Sequence, residues 1–187
     1  MSGTAKEKKM QWYRGQLATM FSDKDFERFF SDAASNIIKY SDLDGIGHIN
    51  ELLPVDGYKI ILIESTKNSG HWTCLIRIKG NLIFFDSYGI YPDDELNFVS
   101  RVTNKLLGNK YNVIRGLMKS SGLKTQYSKT KYQREGGHIN TCGRWVCIAI
   151  NMLFQHQYSL AEMKRILESQ SRETEKPFDL LAVDFTS

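Results

Sequence analysis

From Thr141 to Phe154 the chain shows no broad polar face. Trp145, Val146, Ile148, Ala149, Ile150, Met152, Leu153 and Phe154 fill almost every angular position of a helix, so the segment is predicted to run through a core. Shorter apolar runs upstream have strand character. Tyr58 to Glu64 is a β-branched run of buried-strand length, and a turn over 67–70 leads to a second run from His71 to Ile78. Lys79-Gly80-Asn81 turns that run into Leu82 to Asp86, which predicts a hairpin. Tyr111 to Ile114 reads as a fourth strand.

Helical spacing fills the rest. Ser22 and Asp25 make a capping-box-like start before Phe26, Phe30, Ala33 and Ile37. Pro92 with Asp93, Asp94 and Glu95 opens a helix whose Leu96, Val99, Val102 and Leu106 form an inner stripe, with Gly108 as its stop. Ser159 and Glu162 give a true capping box ahead of Leu160, Met163, Ile166 and Leu167. Residues 1–11 read as a disordered basic tail, 116–141 as a long polar connection, and 177–187 as an apolar end that packs on the body. These elements fit one α+β domain over 1–187, with a mostly antiparallel sheet around a buried helix.

The 187 residues suffice for a sizeable core, and 41% hydrophobic with 25% charged residues is ordinary for a globular chain. Nothing resembles a signal peptide or a membrane span. Three cysteines without a Cys-x-x-Cys pair argue against a disulfide framework or a zinc site, so no metal is expected and a reducing, intracellular setting is. The net charge of +4 is mild but unevenly spread. Arg101, Lys105, Lys110, Arg115, Lys119, Lys124, Lys129, Lys131 and Arg134 form a block free of Asp and Glu. Such a block is either a footprint for a polyanion such as DNA or a solvated face balanced by acids elsewhere. The sequence is compatible with both.

The chemistry centres on Cys142. A thiol at a helix N-terminus meets unpaired N–H groups that favour its anion, drawing its pKa down from roughly 8.5. Gly143 beside it lets a substrate backbone approach. A cysteine nucleophile needs an imidazole partner and a third group that orients the ring. His71 opens one arm of the predicted hairpin and Asp86 closes the other, so both lie at its open end. Gln133 shortly precedes Cys142 and offers an amide donor to a developing oxyanion. Gln126 competes with it, and His138 competes with His71 but has no acid placed beside it by an element. Trp72 alone reads as a core aromatic.

His71-Trp72, then Phe84-Phe85-Asp86-Ser87-Tyr88-Gly89, then Gln133 and Asn140-Thr141-Cys142-Gly143 resemble the active-site motifs of adenain-like and SUMO-deconjugating cysteine proteases. The likeness spans about residues 58–155 and is nearest to the capsid-maturation proteases of adenoviruses and virophages. It implies a papain-like core with His71 as general base, Asp86 as its orienter, Cys142 as nucleophile and Gln133 as oxyanion donor. Trp72 would wall the site and restrict cleavage to glycine-containing sequences in viral capsid or core proteins, by a monomer in the virus factory or virion. No cofactor is implied, although the basic segment 101–134 fits stimulation by DNA. The spacing from Gln133 to Cys142 exceeds the family pattern, and neither Cys74 nor Cys147 suits the disulfide-linked activating peptide of the adenoviral enzymes. The order His-before-Cys excludes papain proper. A protease that deconjugates SUMO, NEDD8 or ubiquitin, and an acetyltransferase with a His–acid–Cys site, are the alternatives.

Overall fold

The apolar runs at 58–64, 71–78 and 82–86 become the centre of a sheet. The computed structural model describes residues 4–187. In chain order it begins with α1 (Ala5–Ala18), α2 (Asp23–Glu27), α3 (Ala33–Asn36), β1 (Ile37–Lys39) and α4 (Ile49–Leu52). Strands β2 (Gly57–Thr66), β3 (Ser69–Ile78) and β4 (Asn81–Phe85) follow, then α5 (Arg101–Leu107), α6 (Val113–Ser120) and β5 (Lys124–Tyr127). The chain ends with α7 (Cys142–Ala149), α8 (Leu160–Thr174) and α9 (Phe178–Phe185).

The five strands lie in sequence order. β2, β3 and β4 are antiparallel neighbours, whereas the edge strands β1 and β5 run parallel to β2 and β4. The sheet is therefore mixed, with an antiparallel centre. Residues alternate between its faces. Trp72, Cys74, Ile76 and Phe85 pack with Trp145, Val146 and Ala149 of α7. Ile61, Ile63, Leu75, Leu82 and Phe84 pack on the other side with Tyr40, Leu43, Leu96, Ile114 and Leu117. Both faces are covered, which is why the strands read as continuous apolar runs. Every residue of α7 is buried, as its missing polar face predicts.

Several elements depart from the sequence expectations. Residues 5–11 are not a loose tail: they belong to α1, which starts with a Thr4–Glu7 capping box and is tied to α9 by the Tyr13 hydroxyl donating to Asp184 (2.6 Å). Residues 1–3 lie outside the described residues. The helix expected through Ile37 is broken after Glu27, resumes as the single turn α3 and ends at Asn36, where Ile37 enters β1 and pairs with Ile60. Tyr111 to Ile114 is not a strand. Asn112 turns the chain at φ 65, and the Asp93 carboxylate accepts from the N–H groups of Ile114 (3.0 Å) and Arg115 (2.9 Å), capping α6. The fifth strand comes instead from 124–127, inside the expected long connection. The helix expected from Pro92 is split into a 3-10 turn (Asp94–Phe98) and α5. Asn104 is then the residue that points inward, its amide donating to the carbonyls of Leu96 and Val99 (2.9 and 3.1 Å). Val102 and Leu106 consequently face outward.

Candidate active site

The hairpin brings His71 and Asp86 together as expected. The last ladder pair is Cys74 with Phe85; counted outward, this register sets Asp86 opposite Thr73 and Tyr88 opposite His71. His71 and Asp86 are thus diagonal neighbours on one face. His71 Nε2 lies 3.1 Å from Asp86 Oδ2, and both side chains are buried. The other carboxylate oxygen accepts from the Tyr88 N–H at 2.6 Å, which fixes the carboxyl plane. Tyr88 stacks on the imidazole with centroids 4.9 Å apart. Gly89 follows at φ 72, where a Cβ would lie 2.9 Å from the Lys129 carbonyl, so only glycine completes this turn.

Cys142 is the first residue of α7, and its buried thiol shares a cavity of about 210 Å3 with His71, Tyr88, Gln133 and Asn140. With Nε2 held by Asp86, Nδ1 is the ring nitrogen left for the thiol. Burial alone would lower the His71 pKa, but the Asp86 carboxylate and then the Cys142 thiol outweigh it and hold the imidazole well above its ordinary value. Cys74 and Cys147 differ sharply. Both are enclosed in the core, and burial pushes their thiols far up.

Gln133 reaches the same cavity, but as a strut. Its Oε1 accepts from the Ser87 hydroxyl (2.9 Å), while Nε2 donates to Tyr88 Oη (3.1 Å) and to the Ile139 carbonyl (2.9 Å). Both amide protons are therefore engaged at rest. Its competitor Gln126 lies in β5 and donates to Asn81 instead (3.1 Å). Trp72 points away from the cavity, into the core beside α7, with Nε1 donating to the Phe21 carbonyl at 2.9 Å. It lines a neighbouring cleft that meets the first at Met20 and Gly70. Gly143 does not face an open approach either: a Cβ there would sit 2.5 Å from Cβ of Phe21. Close packing in the protein explains that glycine.

Three further residues belong to the site. Tyr88 is one, stacked on the imidazole. Glu95 lines the cavity, with a buried Oε2 that lacks a hydrogen-bond partner. Burial raises its pKa, and the nearby imidazole only partly opposes this. His71, Asp86 and Glu95 could each offer one donor atom within 4.8 Å of the others, the one set among the described residues with the proximity a metal ion needs. Asp86 already spends Oδ2 on the imidazole, so the group acts more simply as a charge cluster around the ring. Asp179 of α9 accepts from the Thr141 hydroxyl (2.7 Å) and from the Arg134 backbone N–H and Nε (both 3.2 Å). It ties the Gln133 loop to the residue that caps α7.

The basic block is partly neutralised. Lys110 pairs with Asp44, Arg115 with Asp94, Lys131 with Glu135 and Arg134 with Asp179. Among the described residues Arg101, Lys105, Lys119, Lys124 and Lys129 form no ion pair. No helix among the described residues is long and apolar enough to cross a membrane.

Fold and site together define an α+β protein that presents a thiol, an imidazole and a carboxylate to one cavity. No protein-family model matches the chain. It is 32% identical over 138 residues to the uncharacterized protein V9 of Sputnik virophage, covering 73% of this chain and 77% of that protein. The chain belongs to the family of this virophage protein.

Proposed function

We propose that the protein is a cysteine endopeptidase with a papain-like core, in which His71 is general base, Asp86 its orienter and Cys142 the nucleophile. The observation that carries this reading is the 3.1 Å pairing of His71 with Asp86 beside a thiol at the start of a buried helix. The thiol proton passes to Nδ1, and the sulfur attacks the scissile carbonyl. The first-turn N–H groups of α7 have no intrahelical acceptor, so the Cys142 N–H is the donor available to the oxyanion. Collapse of the tetrahedral intermediate breaks the C–N bond as the imidazolium protonates the leaving amine. Water, deprotonated by His71, then hydrolyses the thioester and regenerates the thiol. Gln133 braces Tyr88 and the loop during these steps, and joins the oxyanion only by exchanging one of its present bonds.

The small cavity, about 210 Å3 and lined by Met20, Tyr88 and Asn140 among others, supports a slim residue such as glycine at the scissile position. The virophage relative supports a viral substrate, and capsid or core proteins cleaved during particle maturation fit both points. The test is alkylation by iodoacetamide at mildly acidic pH with mass-spectrometric mapping, followed by peptides with glycine at the cleavage site. Fast, selective labelling of Cys142 that His71→Ala abolishes, together with peptide cleavage, is the expected result. Equal and slow labelling of all three cysteines refutes the reading.

A further inference from the structure

The rephasing of α5 leaves an apolar face uncovered. Phe98, Val102 and Leu106 are 76%, 70% and 82% exposed. Val102 and Leu106, four residues apart, share one side of the helix, and Phe98 stands just before its start. Single exposed apolar residues are ordinary, but a pair on one helix face with a third at the end of the preceding 3-10 turn is not. Folding does not require them there, since α5 is held to the body by Asn104.

This strip begins at the lip of the Cys142 cavity. Phe98 and Val99 line that cavity, and Phe98 also lines the adjoining one with Tyr88, Ile90 and Glu135. A polypeptide that leaves the cavity past Phe98 comes next to the start of α5. Arg101 and Lys105 lie beside it, four residues apart on the same helix, and neither forms an ion pair among the described residues. An occupant is thus favoured if it carries apolar side chains to cover Phe98, Val102 and Leu106, and carboxylates to meet the two cations.

We propose that Phe98, Val102 and Leu106, with Arg101 and Lys105, form an extended docking site for polypeptide that carries apolar residues next to Asp or Glu, outside the residues held at the cavity itself. The site deepens the endopeptidase reading and rests on it for calling the polypeptide a substrate. It gives selectivity to an enzyme whose cavity is too small to read more than a residue or two.

The test separates the two ideas. A random peptide phage library is selected on Cys142→Ser protein and on the same protein carrying Val102→Glu and Leu106→Glu. Circular dichroism checks that both are folded, which the outward position of the substituted residues favours. The expected pool combines apolar residues with Asp or Glu, and its retention falls about tenfold or more on the doubly substituted protein. Arg101→Ala with Lys105→Ala reduces retention of the acidic members. Unchanged retention overturns the proposal, as does a pool without acidic residues. So does a finding that the strip substitutions dissolve a dimer of the chain in sedimentation, or weaken binding of a DNA duplex more than of peptide. Cleavage of the selected peptides by unsubstituted protein is scored separately. Selection without cleavage retains the docking site and removes the protease; cleavage indifferent to the strip does the reverse.

Discussion

Replacing Asp86 by asparagine should silence Cys142 while leaving the fold nearly intact. Asn is isosteric, and its carbonyl can still accept from the Tyr88 N–H that Asp86 Oδ1 accepts now. Its amide then faces His71 Nε2 and donates to it, which forces the ring hydrogen onto Nδ1. That nitrogen can no longer take the thiol proton. The charge effect points the same way. At 3.1 Å a unit charge pair at an effective dielectric of 20 is worth on the order of 5 kcal/mol before desolvation is subtracted. Truncating one partner of a buried, hydrogen-bonded charge pair costs about 2–5 kcal/mol. Even the lower figure corresponds to roughly a 30-fold loss of the thiolate–imidazolium pair. The assay is the pseudo-first-order rate of iodoacetamide alkylation at pH about 6, where the unperturbed thiol is almost fully protonated. Cys74 and Cys147 serve as silent controls, since burial keeps both thiols protonated. A rate for Asp86→Asn within about threefold of the unsubstituted protein, too small to reflect loss of the pair, would refute the reasoning.

The same pairing sets the pH dependence of stability. The folded His71 pKa lies above its unfolded value near 6.5, so its contribution is fully present below that pH and is lost as pH rises through the folded value. Urea midpoints should therefore fall above neutrality, and Asp86→Asn should flatten that slope, because it removes the strongest of the interactions that oppose burial and leaves the Cys142 thiol to act against it. Gln133→Leu should lower unfolding free energy by about 2–4 kcal/mol, since the Ser87 hydroxyl and the Ile139 carbonyl lose their buried partner; urea titration measures it. Gly143→Ala forces a Cβ to 2.5 Å from Phe21 and should cost about 1–3 kcal/mol, read as a lower thermal midpoint.

Much of the site was legible because its parts are local. The β3–β4 hairpin needs only two apolar runs around Lys79-Gly80-Asn81, and that hairpin alone puts His71 and Asp86 at one end. Cys142 could be placed because a helix without a polar face announces its own burial. Tyr88 was also within reach: counting the register outward sets it opposite His71, but Ser87-Tyr88-Gly89 reads first as a turn. Val102 and Leu106 misled because the 92–107 pattern looks like one continuous helix. The break at Val99 and Ser100 shifts the phase, and Asp93 leaves the supposed helix start to cap α6. The short edge strands β1 and β5 carry little pattern of their own and exist through pairing with β2 and β4. Asp179 gave no signal at all, since its partners lie 38 and 45 residues away.

Those distant partners make Asp179 the sharpest probe of how the nucleophile is held. Asn140 donates to the carbonyls of Leu17 and Ala18 (2.7 and 2.9 Å). Arg144 reaches Gln16 and Thr186 (2.6 and 2.7 Å). The start of α7 is thus clamped between α1 and α9, and Asp179 closes the clamp on the α9 side through Thr141 and Arg134. Asp179→Ala leaves the buried Thr141 hydroxyl without its acceptor, a cost of about 1–3 kcal/mol. It also frees the Gln133 loop. No atom of the thiol, imidazole or Asp86 carboxylate is removed. Alkylation of Cys142 should nevertheless slow by about tenfold at temperatures well below unfolding, because a displacement near 1 Å is enough to misalign a reacting pair. Asp179→Asn keeps an acceptor for Thr141 but loses the charge that holds Arg134, and should fall between the two. If Asp179→Ala lowers the unfolding midpoint while the alkylation rate is unchanged, α9 stabilises the fold without positioning Cys142.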